Sequence, residues 1–388
     1  MTDSSGTLDD RFAALPDLLR ANVEDGTELG VSLCVVHNGD VVVDIWDGWF
    51  DRDKTLPWQQ DTLTPVWSIT KTMTNLAALV LVDRDQLDVN ERVAHYWPEF
   101  GANGKADVLV RHLLGHTSGV SGWAQPVTVD DLYDWDKSTA MLAAQEPWWE
   151  PGTASGYHLL NQGHLVGEVV RRITGLSLGQ FFAKEIASPL GADFHIGMEP
   201  ADFGRVSPVT PPRPLDLDLS AIDPDGIPVR TFTGPFVNVS ETRTDRWKTA
   251  EIPAANGHGN ARSVARVQSL VSHGGEVDGV RLLSPKTLEL IFNEQAHGKD
   301  VVLDVLLRFG IGYALPEPKT VPSVPDGHRC FWGGLGGSFV LNDLENNLTI
   351  AYVMNKMVFE YVPGTRLTRP AGDSRSDAYI AAIYESLE

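Results

Sequence analysis

Ser68-Ile69-Thr70-Lys71 sets a hydroxyl and an amine three residues apart, just before the apolar run Leu76 to Val82. Residues three apart share one face of a helix, so the amine can reach the hydroxyl. A serine hydroxyl is a weak nucleophile until a neighbouring base takes its proton. A helix N-terminus adds partial positive charge and free N–H groups, both of which favour an oxyanion. The same pattern also arises by chance, as an N-cap serine followed by a surface lysine. Tyr157 follows a Pro151-Gly152 turn and heads another helical segment. A free tyrosine is only about 0.1% phenolate at pH 7, a cost of about 4 kcal/mol. A lysine cation within a few Å recovers about 1–3 pKa units, so tyrosine beside lysine is a workable base where either alone is poor. A tyrosine taken singly is more often structural. A third group, Trp332-Gly333-Gly334-Leu335-Gly336-Gly337-Ser338, places four glycines in five positions inside an apparent strand. Glycines weaken a strand unless a ligand or another backbone must approach closely. Either an edge offering N–H groups to a substrate or a bulge accounts for them.

The elements that must position these groups follow from periodicity. Residues 9–24 read as an amphipathic helix, with Phe12, Leu15, Leu18 and Leu19 on one face. Two β-rich runs then flank His37-Asn38-Gly39-Asp40, and Asn-Gly is the strongest short hairpin signal. The helix after Ser68 has an almost wholly apolar second half and belongs in the core. From about 84 to 250 helical segments (131–145, 159–174 and 178–187) alternate with loops, and Ser207 to Val239 is a Pro- and Asp-rich excursion of the kind that borders pockets. Helices at 261–273 and 284–294, β-like runs at 329–341 and 348–355, and a C-terminal amphipathic helix complete the pattern. The fold class is therefore α+β. An antiparallel sheet flanked by helices is built from residues 1–83 and 251–388, with 84–250 inserted as a mostly helical domain.

With 31 Lys and Arg against 52 Asp and Glu, the formal net charge of -21 disfavours nucleic acid and anionic membrane as partners. The 388-residue length suggests two structural units, and 42% hydrophobic residues supply a sizeable core. Cys34 and Cys330 are too few and too far apart for a disulfide framework. The N-terminal stretch lacks a basic region followed by an apolar run, and no run is long enough to span a bilayer. These features lead to the expectation of a cytoplasmic protein, a monomer or small homo-oligomer, acting on a small molecule without a metal or other cofactor.

Taken together the segments resemble the serine β-lactamase and penicillin-binding-protein superfamily, and more narrowly the class C β-lactamase-like carboxylesterases known as family VIII esterases. The likeness covers roughly residues 30 to 360 and runs in order through DQLDVNERVAHYWPEF, VLVRHLLGHTSGV, the segment around Tyr157 and FWGGLGGSFVLNDLENNLTIAYVMNKM. It implies a β-lactamase/transpeptidase-like fold and an acyl-enzyme. Ser68 is then the nucleophile and Lys71 its partner, with Tyr157 as the other half of an acid/base pair. It also puts Trp332-Gly333-Gly334 in the substrate-binding place of the lactamase Lys-Thr-Gly box, with an oxyanion hole from the N–H groups of Ser68 and Leu335. Two departures stand out: the box has lost its cation and hydroxyl, and Leu159 replaces the asparagine two residues after the tyrosine. Both remove polar contacts suited to an anionic lactam and fit a neutral, more apolar ester, and short-chain esters are expected because aromatics crowd the pocket and no lipid-binding lid is evident. A β-lactamase or D,D-peptidase with an altered third box, and a non-catalytic protein on the same fold, are the alternatives. Whether Lys71 or Tyr157 is the primary base stays open, because the pair titrates together.

Other motifs compete. Gly175-Leu176-Ser177-Leu178-Gly179 matches a nucleophile elbow, yet helix precedes it where a strand is required, so Ser177 reads as a helix cap. His112 and His116 are spaced for zinc on one helix face, but no third ligand accompanies them and hydrogen bonding is expected instead. Among the clustered tryptophans, Trp123 and Trp149 are candidates for a substrate-pocket wall.

Overall fold

The computed structural model describes residues 6–213, 223–365 and 367–388. Part of the Pro- and Asp-rich excursion, residues 214–222, lies outside the described residues. Six antiparallel strands form the main sheet in the spatial order Thr7–Leu8, Asp40–Gly48, Gly30–His37, Leu348–Met354, Phe339–Asp343 and Arg329–Gly333. The expected sheet shared by the two ends of the chain is thus present. Its first hairpin turns at Asn38 and Gly39, whose φ values of 53° and 90° match the twist of the flanking strands. The helix Ala261–Ser272 covers strands Gly30–His37, Phe339–Asp343 and Leu348–Met354 with a face that includes Val264, Val267 and Leu270.

Every residue from Thr70 to Leu81 of the helix Thr70–Asp83 is buried, including Lys71. It packs against the helix Asn161–Thr174, which Tyr157 precedes by four residues. The run at 329–341 is not one strand. It breaks into Arg329–Gly333 and Phe339–Asp343, because Gly336 and Gly337 have φ values of 94° and 128° that turn the chain back. The expected helix at 131–145 likewise divides at Asp134, which caps the second piece, Trp135–Ala144.

A second small sheet, not foreseen in the sequence, pairs Thr64–Trp67 with Gly257–Gly259 and then His195–Ile196. It delivers the backbone directly into Ser68. Cys34 and Cys330 are free, buried thiols on separate strands. Among the described residues, no helix is long and apolar enough to cross a membrane.

Candidate active site

Ser68 stands between the strand Thr64–Trp67 and the helix Thr70–Asp83. The preceding Trp67 has φ 48°, a left-handed backbone that costs a bulky L-residue about 1–3 kcal/mol. Its ring is buried against Trp247 with centroids 5.7 Å apart, which holds the strained turn in place.

Lys71 Nζ lies 3.1 Å from Ser68 Oγ and donates to the carbonyls of Leu159 at 2.7 Å and Ala254 at 2.9 Å. The lysine is buried, and burial pushes its pKa well below the ordinary lysine value. A neutral amine keeps two N–H groups and one lone pair. In that neutral form, with the two carbonyls taking the N–H groups, the lone pair would be left for the Ser68 hydroxyl. Tyr157 sits on the other side: its hydroxyl contacts the Ser68 side chain and accepts a hydrogen bond from Trp332 Nε1 at 3.0 Å. Lys71 Nζ lies 4.8 Å from the centre of the Tyr157 ring. Burial raises the Tyr157 pKa despite those two hydrogen bonds, so the expected lowering of the tyrosine by a lysine cation is not what this site shows. Desolvation favours amine and phenol over ammonium and phenolate, and an uncharged amine exerts no pull on the phenol.

The Tyr157 main chain is anchored by Asp300, whose Oδ1 accepts from the N–H groups of Tyr157 at 3.1 Å and of Val302 and Leu303, each at 2.9 Å. Nothing in the sequence marked this acid, since its role depends on a contact 143 residues away.

Gly334 to Gly337 form a turn closed by Gly337 N–H donating to the Gly334 carbonyl at 3.2 Å. Leu335 and Gly336 are its central residues, and Gly336 with φ 94° supplies the type II geometry. Among the described residues, the Leu335 N–H has no hydrogen-bond partner. A Cβ on Gly334 would lie 2.2 Å from the Val66 carbonyl, so this glycine lets the turn lie against the backbone leading into Ser68.

A cavity of about 630 Å³ opens above these groups, lined by Ser68, Tyr157, Gly333, Gly334 and Leu335 and walled by Phe232, Phe236, Val302 and Leu303. Trp332 is not on this wall; it lies behind Tyr157 as a hydrogen-bond donor. Trp123 and Trp149 do not line it either. Trp123 is a core residue donating to the Ser138 carbonyl at 3.1 Å, and Trp149 braces Ala154 and Gly156 in the segment before Tyr157. Large aromatic side chains fill space wherever helices meet, so composition could not tell wall from core. The residues on the wall that were missed, Phe232 and Phe236, come from the Pro-rich excursion.

Ser177 caps the helix Leu178–Phe182 and donates to Glu251 at 2.5 Å, while Gly175, with φ 73°, ends the preceding helix. His112 Nδ1 accepts from the Leu109 N–H at 3.2 Å and His116 Nδ1 from the His158 N–H at 3.1 Å, so both rings hold the backbone.

The chain matches the family model described as Beta-lactamase over residues 15–372. It is 35% identical over 366 residues to the esterase/beta-lactamase LipL of Mycobacterium tuberculosis, covering 91% of this chain and 83% of that protein. Among solved structures, a family VIII carboxylesterase is 38% identical with a TM-score of 0.89, covering 99% of this chain and 100% of the other. A penicillin-binding protein homologue from Caulobacter crescentus is 35% identical, also with a TM-score of 0.89 and the same coverage. The chain belongs to the β-lactamase family and has the β-lactamase/transpeptidase-like fold, an α+β architecture.

Proposed function

We propose that this protein is a serine carboxylic-ester hydrolase working through an acyl-enzyme on Ser68, with Lys71 as the base that activates it. The observation that carries the reading is the environment of Lys71: a buried amine 3.1 Å from Ser68 Oγ, its other hydrogen bonds going to two neutral carbonyls. Similarity to LipL and to a family VIII carboxylesterase supports an esterase.

The ester carbonyl oxygen is received by the N–H groups of Ser68 and Leu335. Ser68 Oγ attacks the carbonyl carbon while its proton passes to Lys71 Nζ. The tetrahedral oxyanion then collapses, the C–O bond to the alcohol breaks, and Tyr157 Oη delivers a proton to the leaving oxygen. Lys71, now an ammonium, gives its proton to the tyrosinate beside it, restoring amine and phenol. Water repeats the sequence on the acyl-enzyme, releasing the acid and Ser68. Loss of one oxyanion donor costs about 3 kcal/mol in such a barrier.

The substrate is a neutral ester with an apolar body. The cavity wall is mostly hydrocarbon, and its charged members are already engaged: Arg369 binds Asp377 at 2.7 Å and 2.8 Å and Glu360 at 3.6 Å, while Ser374 donates to Glu360. A short acyl chain was expected because tryptophans would crowd the pocket. With Trp123 and Trp149 elsewhere, a cavity of about 630 Å³ has room for more, since pockets of 300–1,000 Å³ typically take drug-sized ligands. A β-lactam is the second reading, favoured by the double name of LipL. The pairing of Arg369 with Asp377 leaves it ill placed to hold a lactam carboxylate.

The test is intact mass after treatment with a serine-directed alkyl phosphonate, alongside p-nitrophenyl butyrate hydrolysis, for wild type, Ser68→Ala and Ser177→Ala. Loss of label and turnover in Ser68→Ala alone is expected. A labelled, active Ser68→Ala enzyme would overturn the assignment.

A further inference from the structure

The Leu335 side chain is 41% exposed, so it does little to anchor its own backbone. The turn is held instead through its next residue. The Gly336 carbonyl accepts hydrogen bonds from Arg375 Nη2 and from the Val358 N–H, both at 2.9 Å. Arg375, at the head of the C-terminal helix Ser374–Glu385, is buried, and all three of its nitrogens are committed. Nη1 donates to Glu28 at 2.8 Å and to the Lys356 carbonyl at 2.9 Å; Nε and Nη2 donate to Asp373 at 3.2 Å and 2.6 Å. Glu28 is buried too and accepts from the Tyr352 hydroxyl at 2.5 Å. The cluster also touches the following residue. A Cβ on Gly337, at φ 128°, would lie 2.2 Å from Asp373 Oδ2 and 2.5 Å from Arg375 Nη2.

We propose that Arg375 is a positioning residue for ester hydrolysis: held by Glu28 and Asp373, it fixes the turn at 334–337 so that the Leu335 N–H points at the developing oxyanion. This rests on Ser68 as nucleophile and Leu335 as oxyanion donor.

Stability alone is a weak reason for the cluster. Two carboxylates and a guanidinium buried together carry a desolvation penalty that packed hydrocarbon would avoid. What hydrocarbon cannot supply is a directed donor to a specific carbonyl. An oxyanion hole requires such fixed direction, because its advantage comes from donors that need no reorientation as charge develops. The backbone bond from Val358 constrains the carbonyl from one side only. The guanidinium, itself held at four acceptors, constrains it from a second direction and ties the turn to the sheet and the C-terminal helix.

The test compares wild type, Arg375→Met, Arg375→Lys and Glu28→Gln on p-nitrophenyl butyrate, with inhibition by an alkyl trifluoromethyl ketone, which forms a tetrahedral oxyanion on the serine. Near-UV circular dichroism and Tm report folding. For Arg375→Met the expected result is a kcat lower by about 10- to 100-fold, part of the 10²–10³ lost when a donor is removed outright. KM should stay within about twofold, ketone affinity should fall in parallel with kcat, and Arg375→Lys should recover part of both. Should Arg375→Met fail to fold, Glu28→Gln decides alone, because it loosens the guanidinium but leaves the Gly336 bond. A severalfold drop in kcat and ketone affinity at constant KM is then expected. Folded variants with a lower Tm but wild-type kcat and ketone affinity would overturn the proposal and leave the cluster a stabilising device. Failure of the nucleophile assignment shows separately, as turnover and labelling that survive Ser68→Ala.

Discussion

At the residue scale the decisive quantity is the protonation of Lys71. Burial depresses its pKa well below the ordinary lysine value, so the folded chain holds it neutral at pH values where the unfolded chain binds a proton. In that interval stability rises with pH, and it is lost as pH falls through the folded value. Lys71→Met should therefore abolish turnover yet raise stability by roughly 0.5–2 kcal/mol near neutral pH, with the gain shrinking toward the ordinary lysine pKa. Urea denaturation of both proteins across that range measures it. A variant less stable than wild type throughout would show that the lysine is not strained by desolvation. The same argument places the acid limb of kcat/KM below the ordinary lysine range. A limb at the ordinary lysine value would mean that the resting enzyme carries an ammonium.

At the element scale, the proposed catalytic groups from distant segments meet because a few contacts clamp them. Asp300 joins the Tyr157 segment to the wall residues Val302 and Leu303 through three N–H bonds. Asp300→Ala leaves those donors buried without an acceptor and should destabilise by at least about 1–3 kcal/mol while lowering kcat. Asp300→Asn keeps an acceptor oxygen and should stay close to wild type in Tm and rate. Equal effects of the two substitutions would argue against this clamp. Gly334 is a second junction. Its missing Cβ allows the turn to rest on Val66, so Gly334→Ala must move the Leu335 N–H relative to Ser68. A drop in kcat of at least tenfold is expected, in steady-state assays of the folded variant.

At the scale of the whole molecule, three of the five exposed large hydrophobic side chains among the described residues, Phe232, Phe236 and Leu335, line one cavity. Clustered apolar exposure marks a binding surface, whereas single exposed residues need no explanation. Across a p-nitrophenyl ester series, kcat/KM should rise beyond butyrate. Phe236→Ala should cost roughly 1–2 kcal/mol in kcat/KM for octanoate and little for acetate. A wild-type rate that falls steadily from acetate onward would restore the short-chain expectation.

What was legible in the sequence was local. Hairpin and buried helix each follow from a periodicity or a dihedral requirement satisfied within a few residues, whereas the glycines of the turn at 334–337 read as part of one strand. Ser68, Lys71 and Tyr157, together with the connecting segments in order from about 30 to 360, resembled a known family closely enough to name the fold. Three things were decided only by tertiary structure, because each is a property of surroundings assembled from afar. Lys71 and Tyr157 are buried by segments distant in sequence, and that burial lowers the lysine pKa and raises the tyrosine pKa, against the expected lowering of the tyrosine. The left-handed Trp67 is packed against Trp247, which lies 180 residues away in the chain. Whether a tryptophan walls a pocket or fills a core depends on which way its element faces. Residue type and spacing were enough to nominate the candidate groups; burial, supplied by the whole fold, shifts the lysine pKa down and the tyrosine pKa up.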